Sequence, residues 1–196
     1  MPLAAPADDA GRCGACLRDP PAFDATVTVT DYAAPVEQLV LGLKFGARLA
    51  LAPLLADLLR DALIHDSRAC PAMALPDLLC PVPLGPARLR ERGFNQALEI
   101  ARPLARALGM PVLPQLLVRL RDTAPQSSLS PEGRRHNLCD AFMLQPALHD
   151  SVRGRHVGVV DDVMTTGETL GEIAALLHRF GAARVTNLVY ARTLPA

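Results

Sequence analysis

Two adjacent acidic residues, Asp161 and Asp162, follow a short apolar run in the stretch VGVVDDVMTTGETL, residues 157–170. The pattern predicts a buried strand at 156–161 and a helix at 168–180. In open α/β sheets, ligands bind beyond the carboxyl ends of the strands, which is where these two acids are expected to lie. Because consecutive strand residues point to opposite faces, both carboxylates can reach one ligand only if the chain turns at this point.

The residues between the acids and the helix are suited to a phosphate group. Gly167 lets the backbone approach a ligand closely, next to the unpaired N–H groups of a helix N-terminus. Three hydroxyl donors accompany it: Thr165, Thr166 and Thr169. Vicinal hydroxyls match the two carboxylates, since each charge-assisted hydrogen bond contributes about 1.5–3 kcal/mol. A ribose 5-phosphate carries both groups. The alternative is a solvated loop in which Thr166 is an ordinary helix cap.

The rest of the chain supplies the elements of an α/β domain with a mainly parallel sheet. Strand, helix and strand near the C-terminus form a βαβ unit, whose crossover is expected to be right-handed. Asn95 predicts the start of a helix at 96–108 that stops at Gly109. Further strands are predicted at 25–32, 77–82, 140–144 and 184–191, further helices at 36–45 and 49–64, and a long loop at 118–138.

Charge and composition argue against several classes of protein. The 196 residues carry no net charge, half are apolar, and 4% are aromatic with no tryptophan. Nineteen of the twenty basic residues are arginine, and residues 86–135 hold nine of these against four acids. This local excess indicates an anion-binding face, with codon usage as the alternative explanation. Few aromatic residues argue against base stacking, and no apolar stretch is long enough to span a membrane.

The N-terminal CGAC, Cys13 to Cys16, is a C-x-x-C knuckle. A structural zinc site typically has two such knuckles, whereas Cys70, Cys80 and Cys139 are isolated in the sequence. A redox C-x-x-C normally opens a helix after a strand, and the preceding DDAGRC is not a strand pattern. We interpret the motif as half of a zinc ribbon and do not expect a complete Zn²⁺ site.

Residues 157–170 resemble the phosphoribosyl-pyrophosphate (PRPP) signature of type I phosphoribosyltransferases. Residues 80–105 and 119–142 and the C-terminal βαβ unit are similar to the ComF family, which is named for competence and DNA uptake. The resemblance implies a mainly parallel, twisted sheet flanked by helices. It also implies an N-terminal tail with the zinc-ribbon remnant at 1–22 and a transferase-like domain at 23–196, although the family's upstream pair of cysteines is missing here.

The resemblance also implies a site. Asp161 and Asp162 would bind the ribose hydroxyls and act in catalysis, residues 164–169 would bind the 5′-phosphate, and the turn after residues 78–82 would contact pyrophosphate. The residues expected to bind PRPP are Asp161, Asp162, Met164, Thr165, Thr166, Gly167, Glu168, Thr169, Pro83 and Leu84. A long loop at 119–135 would be a flexible lid. The arginines expected to neutralise pyrophosphate are Arg88, Arg90, Arg92, Arg119, Arg121, Arg134 and Arg135.

Two functions are consistent with this resemblance. One is Mg²⁺-dependent transfer of a phosphoribosyl group to an unidentified acceptor, with release of pyrophosphate. The other is binding of PRPP or a nucleotide without turnover, in an accessory protein that acts through partners of DNA uptake or recombination. Zero net charge and few aromatic residues argue against direct nucleic-acid binding. An odd number of cysteines and a start without a secretion signal favour a cytoplasmic location.

Overall fold

A parallel four-stranded sheet forms the centre of the molecule. The structure, a computed structural model, describes residues 14–69, 74–120 and 141–193. The central strands are β1 (Ala25–Asp31), β2 (Leu78–Pro81), β5 (His156–Met164) and β6 (Arg184–Arg192), arranged in the order β1-β6-β5-β2. Each strand runs parallel to its neighbours. The carboxyl ends of all four strands therefore meet at one edge of the sheet.

Helices and a second, smaller sheet surround this centre. In the described ranges the helices are α1 (Gly14–Arg18), α2 (Val36–Lys44), α3 (Leu51–Ala69), α4 (Pro86–Arg92), α5 (Gln96–Leu108) and α6 (Glu168–Arg179), with a 3-10 helix at Pro146–Ser151. The small sheet pairs β3 (Leu117–Arg119) with β4 (Phe142–Leu144) in antiparallel fashion. No helix in the described parts of the chain has the length and apolar composition needed to cross a membrane.

Each face of the central sheet has its own apolar core. On one face, Val160 and Leu188 pack with residues of α2, α3 and α5, and we call this the α2–α3–α5 core. On the other face, Val159 and Val189 pack with α6 and the small sheet, and we call this the α6 core. A parallel sheet covered on both faces needs strands that are apolar on both sides, which explains the valine runs of β5 and β6.

The helix predicted at 96–108 is confirmed as α5. The side-chain oxygen of Asn95 accepts a hydrogen bond from the backbone N–H of Ala97 at 3.0 Å. At the other end, Gly109 adopts a left-handed backbone conformation with φ of +67°. Both ends of α5 are determined by residues that the sequence alone identifies: an asparagine that caps the start and a glycine that ends the helix.

Three elements differ from the sequence prediction. The stretch after Pro83 holds α4, which has Pro86 in its first turn and ends at Gly93 in a left-handed conformation. The predicted loop at 118–138 begins inside β3, whose partner β4 lies beyond it in the chain. Finally, β5 continues to Met164, three residues past its predicted end, because it stays paired with β6 as far as Arg192. The two long-range pairings are invisible to local sequence patterns.

Gly158 provides a test of the packing at the centre of β5. A Cβ atom there would lie 2.6 Å from Cδ2 of Leu79 and 3.0 Å from Cγ of Pro76. Overpacking of this kind costs about 1–3 kcal/mol, so we expect Gly158→Ala to lower the free energy of unfolding by that amount. Urea denaturation followed by circular dichroism measures the change.

The matched control is Gly171→Ala on α6, where an added Cβ meets no atom within 4 Å. Alanine favours helix over glycine, so this substitution should raise the free energy of unfolding by up to about 1 kcal/mol. Equal effects of the two substitutions would contradict the packing described for Gly158.

Candidate functional site

Asp161 and Asp162 are the sixth and seventh of the nine residues of β5, and the chain does not turn away from the sheet at this point. Asp161 Oδ1 accepts a hydrogen bond from the backbone N–H of Asp162 at 2.9 Å, and Asp162 Oδ1 accepts one from Val163 at 3.0 Å. Asp161 is half-buried, whereas Asp162 is only 2% exposed. The expectation of a turn at the two acids is therefore wrong, because β5 stays paired with β6 through Met164.

The regular alternation of side chains between the two faces of the sheet is interrupted between Asp162 and Val163. Val160 packs in the α2–α3–α5 core, and Val163 packs against the same core, although strict alternation would place these two residues on opposite faces. Asp162 points to that face, because it pairs with a residue of α2. Asp161 lines a small space on the α6 side. Asp161 thus borders the space on the α6 side, whereas Asp162 reaches the opposite face through its pairing with Lys44.

Lys44 is the partner of Asp162, with Nζ 2.8 Å from Oδ2 of the carboxylate. Its side chain is 23% exposed and is placed by the last turn of α2, where a cation also interacts favourably with the helix dipole. Lys44 is the only lysine in the chain. Sequence reasoning missed this residue, although one lysine among nineteen arginines is a signal that could have drawn attention to it.

The environment of the pair disfavours two negative charges. Burial, and next the negative charge of Asp162, raise the pKa of Asp161 to about 8, although the Lys44 ammonium group opposes the shift. The pair therefore holds a single negative charge more readily than two when no ligand is bound. A ligand that donates hydrogen bonds to both carboxylates would favour their ionised forms.

The space on the α6 side, which we call the β5–α6 hollow, is lined by Asp161 and residues 163–170 and has a volume of about 50 Å³. Gly167 precedes α6 with φ of +81° and, as a glycine, has no side chain to cap the helix. The backbone N–H of Glu168 donates a long hydrogen bond, 3.4 Å, to Oγ1 of Thr166. The backbone N–H groups and threonine hydroxyl at this helix start are groups that can bind an anion.

Met164 has a different place from the other residues predicted to bind phosphate. Its side chain is buried in the α6 core, and its carbonyl accepts a hydrogen bond from the backbone N–H of Thr193 at 3.0 Å. A Cβ on Gly167 would lie 2.6 Å from Cε of Met164, and the φ of +81° at Gly167 also disfavours any residue other than glycine. Met164 thus packs against Gly167 and supports the loop between β5 and α6.

The loop after β2 is fixed next to the acids. The backbone N–H of Val82 donates to the carbonyl of Val160 at 2.9 Å. Asn95 Nδ2 donates to the carbonyl of Val82 at 2.9 Å, while the other side-chain atom of Asn95 caps α5. These bonds hold Pro83 and Leu84, which are half-buried, at the carboxyl edge of the sheet.

A larger space of about 560 Å³ lies on the Lys44 side of the acids. We call it the Phe45 pocket; its lining residues include Lys44, Phe45, Leu84, Arg88, Glu91, Arg92, Phe94 and Gln96. The Arg92 guanidinium lies 5.4 Å from the centre of the Phe45 ring and donates a hydrogen bond to Gln96. Phe45 and Phe94, two of the five phenylalanines of the chain, both line this pocket. The low aromatic content of the whole chain had argued against an aromatic platform.

The structure brings together only part of the predicted arginine set. Arg88 and Arg92 line the Phe45 pocket. Arg90 is exposed on α4 and donates to the carbonyl of Pro86 at 3.2 Å. Arg119 lies on β3 with its guanidinium 5.3 Å from the centre of the Phe142 ring. Three further members of the predicted set lie outside the described residues, as does most of the predicted lid: Arg121, Arg134 and Arg135.

Cys16, the described cysteine of the predicted half zinc ribbon, lies near the β5–α6 hollow. Cys16 in α1 lines a space of about 490 Å³ together with Phe23, Arg192 and residues 164–168; Cys13 lies outside the described residues. Cys80 is buried in β2, and burial raises the pKa of its thiol to about 12. Among the side chains that the structure describes, no group of three or more His, Cys, Asp or Glu residues could hold a metal ion.

Known proteins are similar to this chain over much of its length. Residues 95–192 match the family model described as phosphoribosyl transferase domain. DNA utilization protein YhgH of Escherichia coli (strain K12) is 43% identical over 182 residues, covering 93% of this chain and 78% of that protein. Competence protein F of Haemophilus influenzae is 36% identical over 176 residues, covering 90% and 76%.

A solved structure, glutamine PRPP amidotransferase from B. subtilis complexed with ADP and GMP, superposes with a TM-score of 0.43 and 21% identity. The match covers 73% of this chain but only 26% of the amidotransferase. The family match over residues 95–192 shows that the chain contains a phosphoribosyl transferase domain. Within that superfamily the chain belongs to the ComF family, the family of competence protein F and YhgH. The fold and family predicted from the sequence are confirmed.

The raised pKa of Asp161 predicts a pH-dependent cost in stability. Below the ordinary carboxyl pKa of 3.8 the group is protonated in both the folded and the unfolded state, so it contributes nothing. As the pH rises towards 8, the unfolded state ionises more easily, and the folded state loses stability relative to it. Asp161→Asn removes this cost and keeps an oxygen for the Asp162 N–H.

We therefore expect Asp161→Asn to unfold at the same temperature as the wild type at about pH 4 and a few degrees higher at about pH 8.5, since about 1 kcal/mol shifts the midpoint by about 2–4 °C in a domain of this size. Differential scanning calorimetry across that pH range measures the difference. Asp150→Asn, at a side chain that is 96% exposed, is the control and should show no such trend. A difference that does not vary with pH would contradict the assignment.

Proposed function

We propose that this protein binds PRPP and catalyses Mg²⁺-dependent transfer of its phosphoribosyl group to an acceptor, with release of pyrophosphate. The proposal is carried by the position of two neighbouring acids: Asp161 lines one space, and Asp162 pairs with Lys44, which lines a second space of different character. On one side is the β5–α6 hollow with a helix start suited to a phosphate group. On the other is the Phe45 pocket, lined by Lys44, Arg88 and Arg92. A ribose 5-phosphate with pyrophosphate on C1 matches this order.

The proposed reaction is a displacement at C1 of the ribose. A lone pair of the acceptor forms the new bond to C1, the bond between C1 and the pyrophosphate oxygen breaks, and its electron pair leaves with pyrophosphate. A proton carried by the attacking atom passes to water. Positive charge develops on the sugar, where the carboxylates of Asp161 and Asp162 stabilise it through the ribose hydroxyls. Negative charge develops on pyrophosphate, which guanidinium and ammonium groups of the Phe45 pocket would stabilise.

The residues present fit a magnesium ion that is bound jointly with the ligand. Mg²⁺ is usually held by one or two carboxylates together with substrate phosphates and water, and Asp161 is placed to contribute one of them. A site made of protein groups alone is absent from the described side chains, so oxygens of PRPP would complete the coordination. When bound, the ion would supply positive charge next to pyrophosphate and ribose.

A second function is supported by the names of the relatives, DNA utilization protein and competence protein F. A fold does not fix an activity, so this chain could bind PRPP or a nucleotide without turnover and act through partner proteins in the use of DNA. In either case we place the protein in the cytoplasm. Release of pyrophosphate on addition of PRPP and candidate acceptors separates the two functions, because only the transferase produces it.

Calorimetric titration with PRPP tests the proposed site directly. The wild type should bind PRPP more tightly with Mg²⁺ than without it. The double variant Asp161→Asn/Asp162→Asn loses charge-assisted hydrogen bonds, so its affinity should fall by about 10- to 100-fold. Asp150→Asn is again the control. If the wild type binds no PRPP, or if the double variant binds it equally well, the site is wrongly assigned.

Lys44 allows an independent test, because a lysine-specific reagent modifies a single side chain in this protein. We expect PRPP with Mg²⁺ to slow modification of Lys44 several-fold, since the ligand would cover the ammonium group. Peptide mass spectrometry after timed exposure to trinitrobenzenesulfonate gives the rate, and the α-amino group serves as the internal reference. Equal protection of Lys44 and the α-amino group, or no protection, would contradict a role for Lys44 at the ligand.

A further inference from the structure

The two outer strands of the central sheet differ in how their free edges are covered. β2 is short, and the backbone of residues 111–113 lies along its outer edge. There the N–H of Leu79 donates to the carbonyl of Pro111 at 2.9 Å, and the N–H of Leu113 donates to the carbonyl of Leu79 at 2.8 Å. β1 is seven residues long and pairs only with β6 in the part of the chain that the structure describes. Its outer edge therefore presents backbone groups that another strand can bind.

β1 lacks the residues that usually protect an open sheet edge. Natural edge strands commonly carry lysine, proline or a charge at mid-strand, each of which discourages pairing with another chain. β1 has the sequence ATVTVTD, in which the sole charged residue, Asp31, stands at the end. Valine and threonine are β-branched and have a high propensity for strands. The outer edge of β1 is thus suited to a further strand.

The sequence of β1 is self-complementary about Thr28, and this favours a second copy of the same chain as the partner. Residues 26–30 read TVTVT in both directions. In an antiparallel pair centred on Thr28, threonine lies opposite threonine on one face and valine opposite valine on the other. Asp31 then lies opposite Ala25 of the second copy, so no two acids face each other. Cross-strand threonine pairs stabilise such a pairing, whereas like charges directly opposite would destabilise it.

α3 provides apolar surface on the same side of the molecule. This helix lies over β1 and β6, whereas α5 lies over β5 and β2. Leu54 and Leu58, one turn apart on α3, remain 48% and 38% exposed. A two-fold axis perpendicular to the sheet would place the α3 helices of both copies on one face, on either side of the paired strands. Strand pairing alone buries little apolar area, and these leucines would add to it.

We propose that the outer edge of β1 is an interface at which two copies of this chain pair antiparallel about Thr28. The joined sheet has eight strands, four from each copy. Leu54 and Leu58 of the two copies contact each other beside the paired strands. Because the two copies of β1 run in opposite directions, the carboxyl edges of their sheets face opposite ways, and the dimer carries two separate ligand sites. The interface does not depend on the function proposed above.

A charge exchange at the two-fold axis tests the pairing. Thr28→Lys and Thr28→Asp each place two like charges directly opposite each other, so each variant alone should be monomeric. An equimolar mixture of the two places an ammonium group opposite a carboxylate and should restore a dimer of one copy of each. Sedimentation equilibrium over a wide range of protein concentration measures the state of the wild type, of each variant and of the mixture. The wild type should dimerise.

A second pair of variants leaves β1 unchanged and decides the question even where a Thr28 variant does not fold, which circular dichroism shows. Leu58→Lys puts a charge into the apolar contact and should raise the Kd of the dimer about tenfold or more. Leu75→Lys, at a similarly exposed leucine before β2, should leave the Kd unchanged.

Four results would overturn the proposal. A monomeric wild type would leave the edge of β1 to a different occupant. A dimer that persists in each Thr28 variant alone would place the interface elsewhere. The other two contrary results are folded Thr28 variants whose mixture stays monomeric and equal effects of Leu58→Lys and Leu75→Lys.

Discussion

Two carboxylate groups side by side on a buried strand are the constraint on which this site depends. Charges removed from water are costly unless they are paired and hydrogen-bonded. Asp162 is paired with Lys44 and bonded to a backbone N–H, whereas Asp161 has a backbone N–H and a raised pKa. The two carboxylates therefore have fewer hydrogen bonds than buried carboxylates need in a stable core. A ligand bound at this site can supply the missing hydrogen bonds.

The surrounding architecture explains why three distant parts of the chain reach these carboxylates. All four central strands end at one edge of the sheet, so the loop after β2 and the start of α6 lie on either side of the end of β5. The end of α2 reaches the same edge because that helix packs on the sheet through Val40 and Leu43. The order of the strands in the sheet thus brings together residues of the site that lie more than a hundred positions apart in the sequence.

Local chemistry was enough to predict a large share of this molecule. The cap at Asn95, the stop at Gly109 and the helix predicted at 168–180 are each determined by neighbours in sequence, and all were found. Long-range pairing was not accessible: the sequence placed the end of β5 too early because β6 holds it in the sheet as far as Met164. Lys44 was missed for the same reason, since nothing near it in sequence indicates that α2 ends against Asp162.

Asn95 has a consequence for which residues can replace it. Serine, aspartate and asparagine cap helices about equally well, and most cap positions tolerate an exchange among them. Here the carboxamide works at both ends: its oxygen accepts from Ala97 and its nitrogen donates to Val82. Aspartate would keep the cap but set a carboxylate against a carbonyl, and serine is too short to reach it. The start of α5 and the loop after β2 are therefore linked through the side chain of Asn95. The loop thus limits which residue types can replace Asn95 at this cap.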